Sequence, residues 1–345
     1  MSVRHAYVCS GNKILTKRGY RNIEDISLYD KVLTHAGVFR EIENVARLVG
    51  DVDVYVISAC GQPAPITCTQ QQMFLAYDTK RKMSRWTAAA HLRAGMCLAA
   101  PVNIAETPAV FTFSDPDLAC RHTLDLDHPD YWFLMGQFCG GGTLAFGGTI
   151  DIAARDLAAI QRLQQILPLV GGHMDICANC SIMTCANLAW HAILSPFGAE
   201  PYRRVLPEWV QDAPKKLLWA FLHGYICSVA AYPRLGRIHC IAASYDFAGG
   251  IQRICLKLGI QAIIRAAATT AAEFEHELSG AGLFCIDIIP AERADCGKFA
   301  WFPITDISTM HRADTATHGI ELCKDGSYCI ANILTADMTR RQSVN

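Results

Sequence analysis

The 345-residue sequence predicts a multidomain α+β protein, with a β-rich domain built from both chain ends and an α+β domain with an internal repeat inserted between them. Three observations point to this. The first hundred residues are short β-branched and aromatic runs punctuated by turns. From about Asp115 the texture changes to longer stretches with apolar residues at helical spacing. After about Phe299 the short β patterns return.

In the first segment Lys13 to Thr16, Lys31 to Thr34, Val52 to Ser58 and Ile66 to Thr69 read as strands. Thr34-His35-Ala36-Gly37 reads as a hairpin turn, and Gly61-Gln62-Pro63 breaks the strand that ends near Ala59. Many short strands imply a sandwich or a horseshoe. In the middle, Tyr131 to Cys139, Ala153 to Ile166, Lys215 to Ile226 and Phe247 to Leu258 read as helices. An apolar helix running into small residues occurs twice, from Phe133 to Gly142 and, 88 residues further on, from Phe221 to Ala230. Each is followed by strand-like sequence and another amphipathic helix, the signature of an internal duplication. Gly136 and Gly224 would let the two helices pack together. At the end, Trp301 to Ile307, Thr317 to Leu322 and Ser327 to Leu334 read as strands, with Lys324-Asp325-Gly326 as a tight turn. The boundaries expected are 1–104 and 299–338 for the β domain, 105–298 for the insertion and 339–345 for a polar tail.

Hydrophobic residues make up 51% and charged residues 18%, with mean hydropathy +0.17, so the chain has ample apolar surface for packed cores and disorder is excluded. Lys plus Arg (31) nearly cancels Asp plus Glu (32), and a net charge of −1 lacks the basic excess that drives nonspecific nucleic-acid binding. No run of 18 or more apolar residues occurs, and Met-Ser-Val-Arg-His has no signal-peptide core, so an intracellular protein without membrane partners is expected. Sixteen Cys in that setting read as reduced, buried thiols.

Cys177-x-x-Cys180 with Cys185, flanked by His173 and His191, has the ligand types of a zinc site, but the second pair lacks the tight spacing, so buried thiols are the simpler reading. Gly140-Gly141-Gly142 and Gly147-Gly148 are not followed by a P-loop Lys-Ser/Thr and read as a helix terminus and a turn. Lys80-Arg81-Lys82 with Arg85 reads as solvated surface, with phosphate contact as the alternative.

Gly11-Asn12-Lys13-Ile14-Leu15-Thr16 through Ile26, continuing to Asp30-Lys31-Val32-Leu33-Thr34, resembles the opening block of inteins. Ile66 to Thr69, Trp86 to Leu92 and Ala99 to Asn103 resemble the later blocks of the N-terminal half, and Trp301 to Ile304, Gly319 to Leu322, Ser327-Tyr328 and Ile333 to Thr335 those of the C-terminal half. The repeated helices and Leu256-Lys257-Leu258-Gly259-Ile260 resemble a LAGLIDADG homing endonuclease. Over nearly its whole length the chain is similar to a Hint domain interrupted by such a nuclease. The resemblance implies a β-rich Hint horseshoe hosting a pseudo-symmetric two-repeat LAGLIDADG domain.

It also implies where the chemistry should sit. Splicing needs a Cys or Ser nucleophile, a threonine and a histidine that assist, and a terminal Asn that cyclises. If Thr69 matches the family threonine, the histidine position holds Gln72, and the final His-Asn pair falls on Ala336-Asp337, followed by Met338. Cys9 lies near the nucleophile position with shifted spacing, and reads as an ordinary thiol, with a residual self-cleavage nucleophile as the alternative. In the nuclease an acidic residue ending each paired helix binds a divalent metal. Those positions are Gly141 and Val229, and Asp130 and Asp246 lie elsewhere in their motifs, where helix capping is the simpler role. Arg203, Arg204, Arg234, Arg237 and Arg265 are the candidates for DNA contact, although Thr143 to Ile152, in the implied DNA-facing saddle, contains no Lys or Arg. The expectation is a catalytically degenerate relative retained as a binding or assembly scaffold, with a protein partner or self-association and no cofactor. The alternatives are a LAGLIDADG-type endonuclease with Mg²⁺ and a noncatalytic DNA-binding regulator.

Overall fold

The computed structural model describes residues 6–102, 112–113, 124–145, 147–176, 181–229, 231–234, 237–266, 283–289 and 298–339. The chain divides into one unit of Met1–Ala105, Gly259–Arg265 and Ala291–Asn345, and another of Glu106–Leu258 and Ala266–Pro290. The fold is mixed α+β and strand-rich.

In the first unit, two long strands from opposite chain ends, Phe39–Ala59 and Phe299–Leu322, pair antiparallel from Ala59 opposite Ile304 to Ile42 opposite Leu322. The separate strands expected at Val52 to Ser58, Trp301 to Ile307 and Thr317 to Leu322 are corrected: each is part of one of these. The residues between them are exposed on both faces and so lack apolar alternation, and the mutual backbone ladder carries the strand across. Val8–Cys9 pairs with Phe299–Leu322 (Val8 opposite His318) and with Ile66–Thr69 (Val8 opposite Cys68), which in turn pairs with Phe39–Ala59 (Thr69 opposite Val54). These pairings close a ring of four strands.

Residues from both chain ends share one core, in which Leu15, Leu33, Ala99, Cys329 and Leu334 are buried against Tyr20, Trp86 and Trp301. Burying each large side chain contributes about 1.5–3 kcal/mol. The turn at Thr34 to Gly37 forms as the sequence predicts, the Gly37 N–H donating to the Thr34 carbonyl at 3.0 Å with Gly37 at φ +73°. The single β run expected over Ser327 to Leu334 is instead a hairpin of Ser327–Ile330 and Ile333–Ala336. Ala331, at φ +51°, makes its turn, which the apolar pattern conceals because both strands are wholly buried.

The second unit contains helices Pro129–Gly141 (α1), Leu157–Val170 (α2), Leu188–Leu194 (α3), Glu208–Gln211 (α4), Lys215–Val229 (α5) and Tyr245–Lys257 (α6). α1 and α5 each run into two strands. In the first sheet the order is Gly142–Leu144, Thr149–Ala154, Ser181–Ala186, Gly172–Ile176; in the second, Arg237–Ala242 lies between Ala231–Arg234 and Phe284–Ile289. α1 is apolar almost all round and buries Trp132, Phe133, Leu134, Met135 and Phe138, as a central helix must. A Cβ on Gly136 would lie 2.0 Å from the Phe221 carbonyl oxygen, and one on Gly224 2.1 Å from that of Phe133, so α1 and α5 touch backbone to backbone at these glycines. The helix expected from Ala153 starts later, at Leu157, because Thr149–Ala154 is a strand and the Asp156 carboxylate caps the helix by accepting the Ala159 N–H at 2.8 Å. No described helix is long and apolar enough to cross a membrane.

Candidate functional site

In the first unit Thr69, at the end of its strand, holds Tyr7: its Oγ1 accepts the Tyr7 N–H at 3.0 Å and donates to the Tyr7 carbonyl at 3.3 Å. Gln72 follows one turn later and is fully buried, its Nε2 donating to Thr335 Oγ1 at 2.7 Å and to the Ala336 carbonyl at 2.8 Å. An amide in that place has no proton to exchange near neutral pH. Ala336 packs on Met73 and Ala88. The buried Asp337 carboxylate accepts the Leu322 N–H at 3.3 Å and both the N–H and hydroxyl of Thr339, at 3.2 and 2.9 Å. It lacks the side-chain nitrogen that asparagine cyclisation uses as nucleophile.

Cys9 is 1% exposed. Burial pushes its thiol up, against smaller downward pulls from a Thr67 hydrogen bond and Arg312, so it is protonated and weakly nucleophilic. Two arrangements escaped the sequence. The Asn12 amide donates to the carbonyls of Cys9 and Thr67 at 2.7 and 3.0 Å, tying the first strand to Ile66–Thr69. Ser10 Oγ lies 2.9 Å from Nε2 of His318, an imidazole that burial pushes below its ordinary range. Thr67 lies 55 positions from Asn12 and His318 lies 308 from Ser10, so no local pattern signals either long-range contact.

In the second unit a Cβ on Gly141 would stand 2.9 Å from Ser228 Oγ and 3.1 Å from the Ala153 carbonyl oxygen, and Val229 Cγ1 lies 2.7 Å from where a Cβ on Gly140 would be. The C-terminal ends of α1 and α5 thus meet through small and apolar groups, and a side chain at Gly141 would require Ser228 and the Ala153 carbonyl to give way. Asp130 sits at the opposite end of α1, roughly 16 Å away by helical rise. It is not a cap: His128 Nδ1 accepts the Asp130 N–H, while the carboxylate binds Arg162 at 2.7 and 2.9 Å. Arg162 also lies 4.1 Å over the Phe133 ring. Asp246 is in the first turn of α6, which Ser244 caps.

Among the DNA-contact candidates, Arg204 is corrected outright. It is 2% exposed, stacked 4.0 Å over Phe138, and donates to the carbonyls of Phe138, Gly142 and Gly198. The carbonyls gathered at the α1 C-terminus, the negative end of the helix dipole, draw the guanidinium inward. Arg203 is exposed, 3.9 Å from Glu200. Arg237 and Arg265 are exposed on their strands, and the Arg234 side chain lies outside the described residues. The outward face of the first sheet carries Thr143, Asp151, Thr184, His173 and Asp175, and none of its four strands contains Lys or Arg. Thr184 Oγ1 donates to Asp151 at 2.7 Å.

The zinc candidates do not converge. His173 sits opposite Thr184 on the outward face, whereas Cys185, opposite Gly172, is buried and donates to the Val170 carbonyl. Alternation of side chains along the strand separates the two. Cys177 and Cys180 lie outside the described residues. Among the described residues no group of three or more His, Cys, Asp and Glu is gathered as metal ligands.

No family model and no curated protein matches the sequence. Solved structures do. Mesophilic variants of the homing endonuclease I-DmoI are 12% identical over 48% of this chain and 90% of theirs, with a TM-score of 0.35. I-DmoI in complex with DNA and Mn is 11% identical over 46% of this chain and 89% of its own, at 0.34. The N-terminal LAGLIDADG domain of DUF199/WhiA is 13% identical over 48% and 77%, at 0.32, and full-length DUF199/WhiA from Thermatoga maritima is 14% identical over 47% and 52%, also at 0.32. The chain is similar, over about half its length, to LAGLIDADG proteins.

Proposed function

We propose that this chain is a noncatalytic binding or assembly protein whose two units are a Hint-like β domain and a LAGLIDADG-like domain that have both lost their reactive groups. The observation that carries this reading is the closed junction at the α1 and α5 C-termini, where Gly141 and Val229 meet Ser228 and Gly140 in place of two metal-binding carboxylates. Gln72, Ala336 and Asp337 support it from the β unit, since each is buried and engaged in packing or hydrogen bonds to its neighbours. A sheet face with Asp151 and Asp175 and no strand cation is a poor surface for tracking phosphates, which argues for a partner other than DNA.

The deciding experiment is plasmid cleavage with Mg²⁺ or Mn²⁺ over a range of sequences. No cut is expected; specific double-strand cuts abolished by Asp130→Asn or Asp246→Asn would establish the rival reading, an active endonuclease. Salt-dependent DNA binding without cleavage would instead make the chain a DNA-binding regulator. Intact mass spectrometry tests the β unit, where loss of the first eight residues would implicate Cys9 as a surviving nucleophile.

A further inference from the structure

We propose that the open edge of Phe39–Ala59, from Leu48 to Asp53, takes an extended basic peptide by strand addition. From Ile42 to Ala59 one edge of this long strand is paired to Phe299–Leu322. Its other edge is paired to Ile66–Thr69 at Val54 to Ile57, and Phe39 to Glu41, beyond the end of the ladder with Phe299–Leu322, pair with Lys31–Leu33. Among the described residues no strand pairs that edge between Ile42 and Asp53, a stretch whose side chains are mostly exposed. Such an edge is a template for another strand.

A cavity of about 290 Å³ lies against six consecutive residues of this edge, Leu48 to Asp53. Thr69 and Gln70 bound it at one end and His311 and Thr317 at the side. Thr69 is the last residue of the strand that pairs with Val54, and the chain then turns, the Gln72 N–H donating to the Thr69 carbonyl at 3.1 Å. The cavity therefore begins where the lane of Ile66–Thr69 ends and runs by Leu48 to Asp53, touching His311, Thr315 and Thr317 of the paired strand as well. Six residues of strand span roughly 20 Å, enough for a short extended segment.

Charge selects the occupant. Asp51 and Asp53 are two apart in the strand and so share a face. Asp53 has its side chain 76% exposed and lies 2.9 Å from His311 Nδ1; Asp51 accepts only the Asp314 backbone N–H at 3.2 Å among the hydrogen bonds found for its side chain. Arg312, opposite Val52, turns its Nε to Met310 Sδ, 3.2 Å away. Two carboxylates against one imidazole suit Lys or Arg at alternate positions, with the 60% exposed Val49 as an apolar contact between or beside them. The proposal specifies the binding role suggested above. Its failure would leave the loss-of-catalysis reading standing, because that reading is judged by the cleavage assays.

The test uses the full chain and a fluorescein-labelled eight-residue peptide of alternating lysine and valine, followed by fluorescence anisotropy. Saturable binding is expected, weakened at least tenfold by Asp51→Lys combined with Asp53→Lys. N-methylating alternate peptide nitrogens, which removes ladder hydrogen bonds and keeps the charge, should weaken it as much. Both substituted positions are exposed, and circular dichroism confirms that the variant is folded. Equal binding of the N-methylated peptide, equal binding of a glutamate-for-lysine peptide, or no saturable binding overturns the proposal. So does a dimer in sedimentation that the double variant dissociates, which would assign this edge to a second copy of the chain.

Discussion

Gln72 holds the Thr335 hydroxyl at 2.7 Å, joining residues 263 positions apart, and Thr335 passes the contact on by donating to the Met73 carbonyl at 2.8 Å. The two contacts form a structural clamp between segments from opposite chain ends of the β unit. Gln72→Leu is expected to cost about 1–3 kcal/mol in urea unfolding, because it takes the side-chain donor from the Ala336 carbonyl and the Thr335 oxygen in a dry interior, while Thr335 keeps its bond to Met73. Gln72→His combined with Asp337→Asn is expected to yield no cleaved product by mass spectrometry, since the Cys9 thiol stays buried and protonated.

Gly136→Ala and Gly224→Ala reverse the usual sign of a helical glycine substitution. In an ordinary helix alanine is favoured by about 0.5–1 kcal/mol. Here each new methyl would meet main-chain oxygen of the other helix near 2 Å, and backbone cannot swing aside as a side chain would. A loss of about 3 kcal/mol or more is expected for each by chemical denaturation. A stabilised Gly136→Ala protein would refute the helix pairing.

Arg204→Met should destabilise the second unit by about 2–4 kcal/mol, as it takes the guanidinium donor from the carbonyls of Gly142 and Gly198 and one of two donors from that of Phe138, which keeps the Gly142 N–H. Arg203→Ala, one position earlier and exposed, should shift stability by less than about 0.5 kcal/mol. Thermal melts of the two variants side by side make the contrast, and equal effects would contradict the inward placement.

The pH profile of stability should fall away on both sides. Burial holds His318 and His223 below the ordinary imidazole range, with the Arg47 and Arg162 charges adding to it. The unfolded chain therefore binds protons first, and stability present above about pH 6.5 is lost as pH falls toward the lower folded values. His318→Gln should flatten part of that slope in melts between pH 7.5 and 5. Burial raises the Cys139 and Cys240 thiols to about 12, so their contribution is complete below the unfolded thiol value and is lost as pH climbs. Melting temperatures should begin to drop above roughly pH 8.5.

The helices and the turn at Thr34 to Gly37 were legible because their cause is local: periodicity, a cap, a glycine with positive φ. The contact of Gly136 with α5 was legible as well, since small residues recurring in two similar apolar helices have few other uses. The long ribbon was not, because its exposed middle carries no apolar alternation and is held by hydrogen bonds to a strand more than 250 positions away. Arg204 misled for a related reason: beside Arg203 it looks like a surface pair, and only the folded chain brings the α1 carbonyls to it. His173 and Cys185 have zinc-ligand chemistry, but the hairpin turns them to opposite faces.

The ladder between Phe39–Ala59 and Phe299–Leu322 also sets an order of events during synthesis. A ribosome must deliver almost the entire polypeptide before the earlier strand can meet its mate, so at about 5–20 residues per second that strand waits on the order of tens of seconds. Over that interval the nascent chain can match this 21-residue strand only at its ends, to Lys31–Leu33 and Ile66–Thr69, which leaves its middle the stretch most prone to pair with a neighbour on the same polysome.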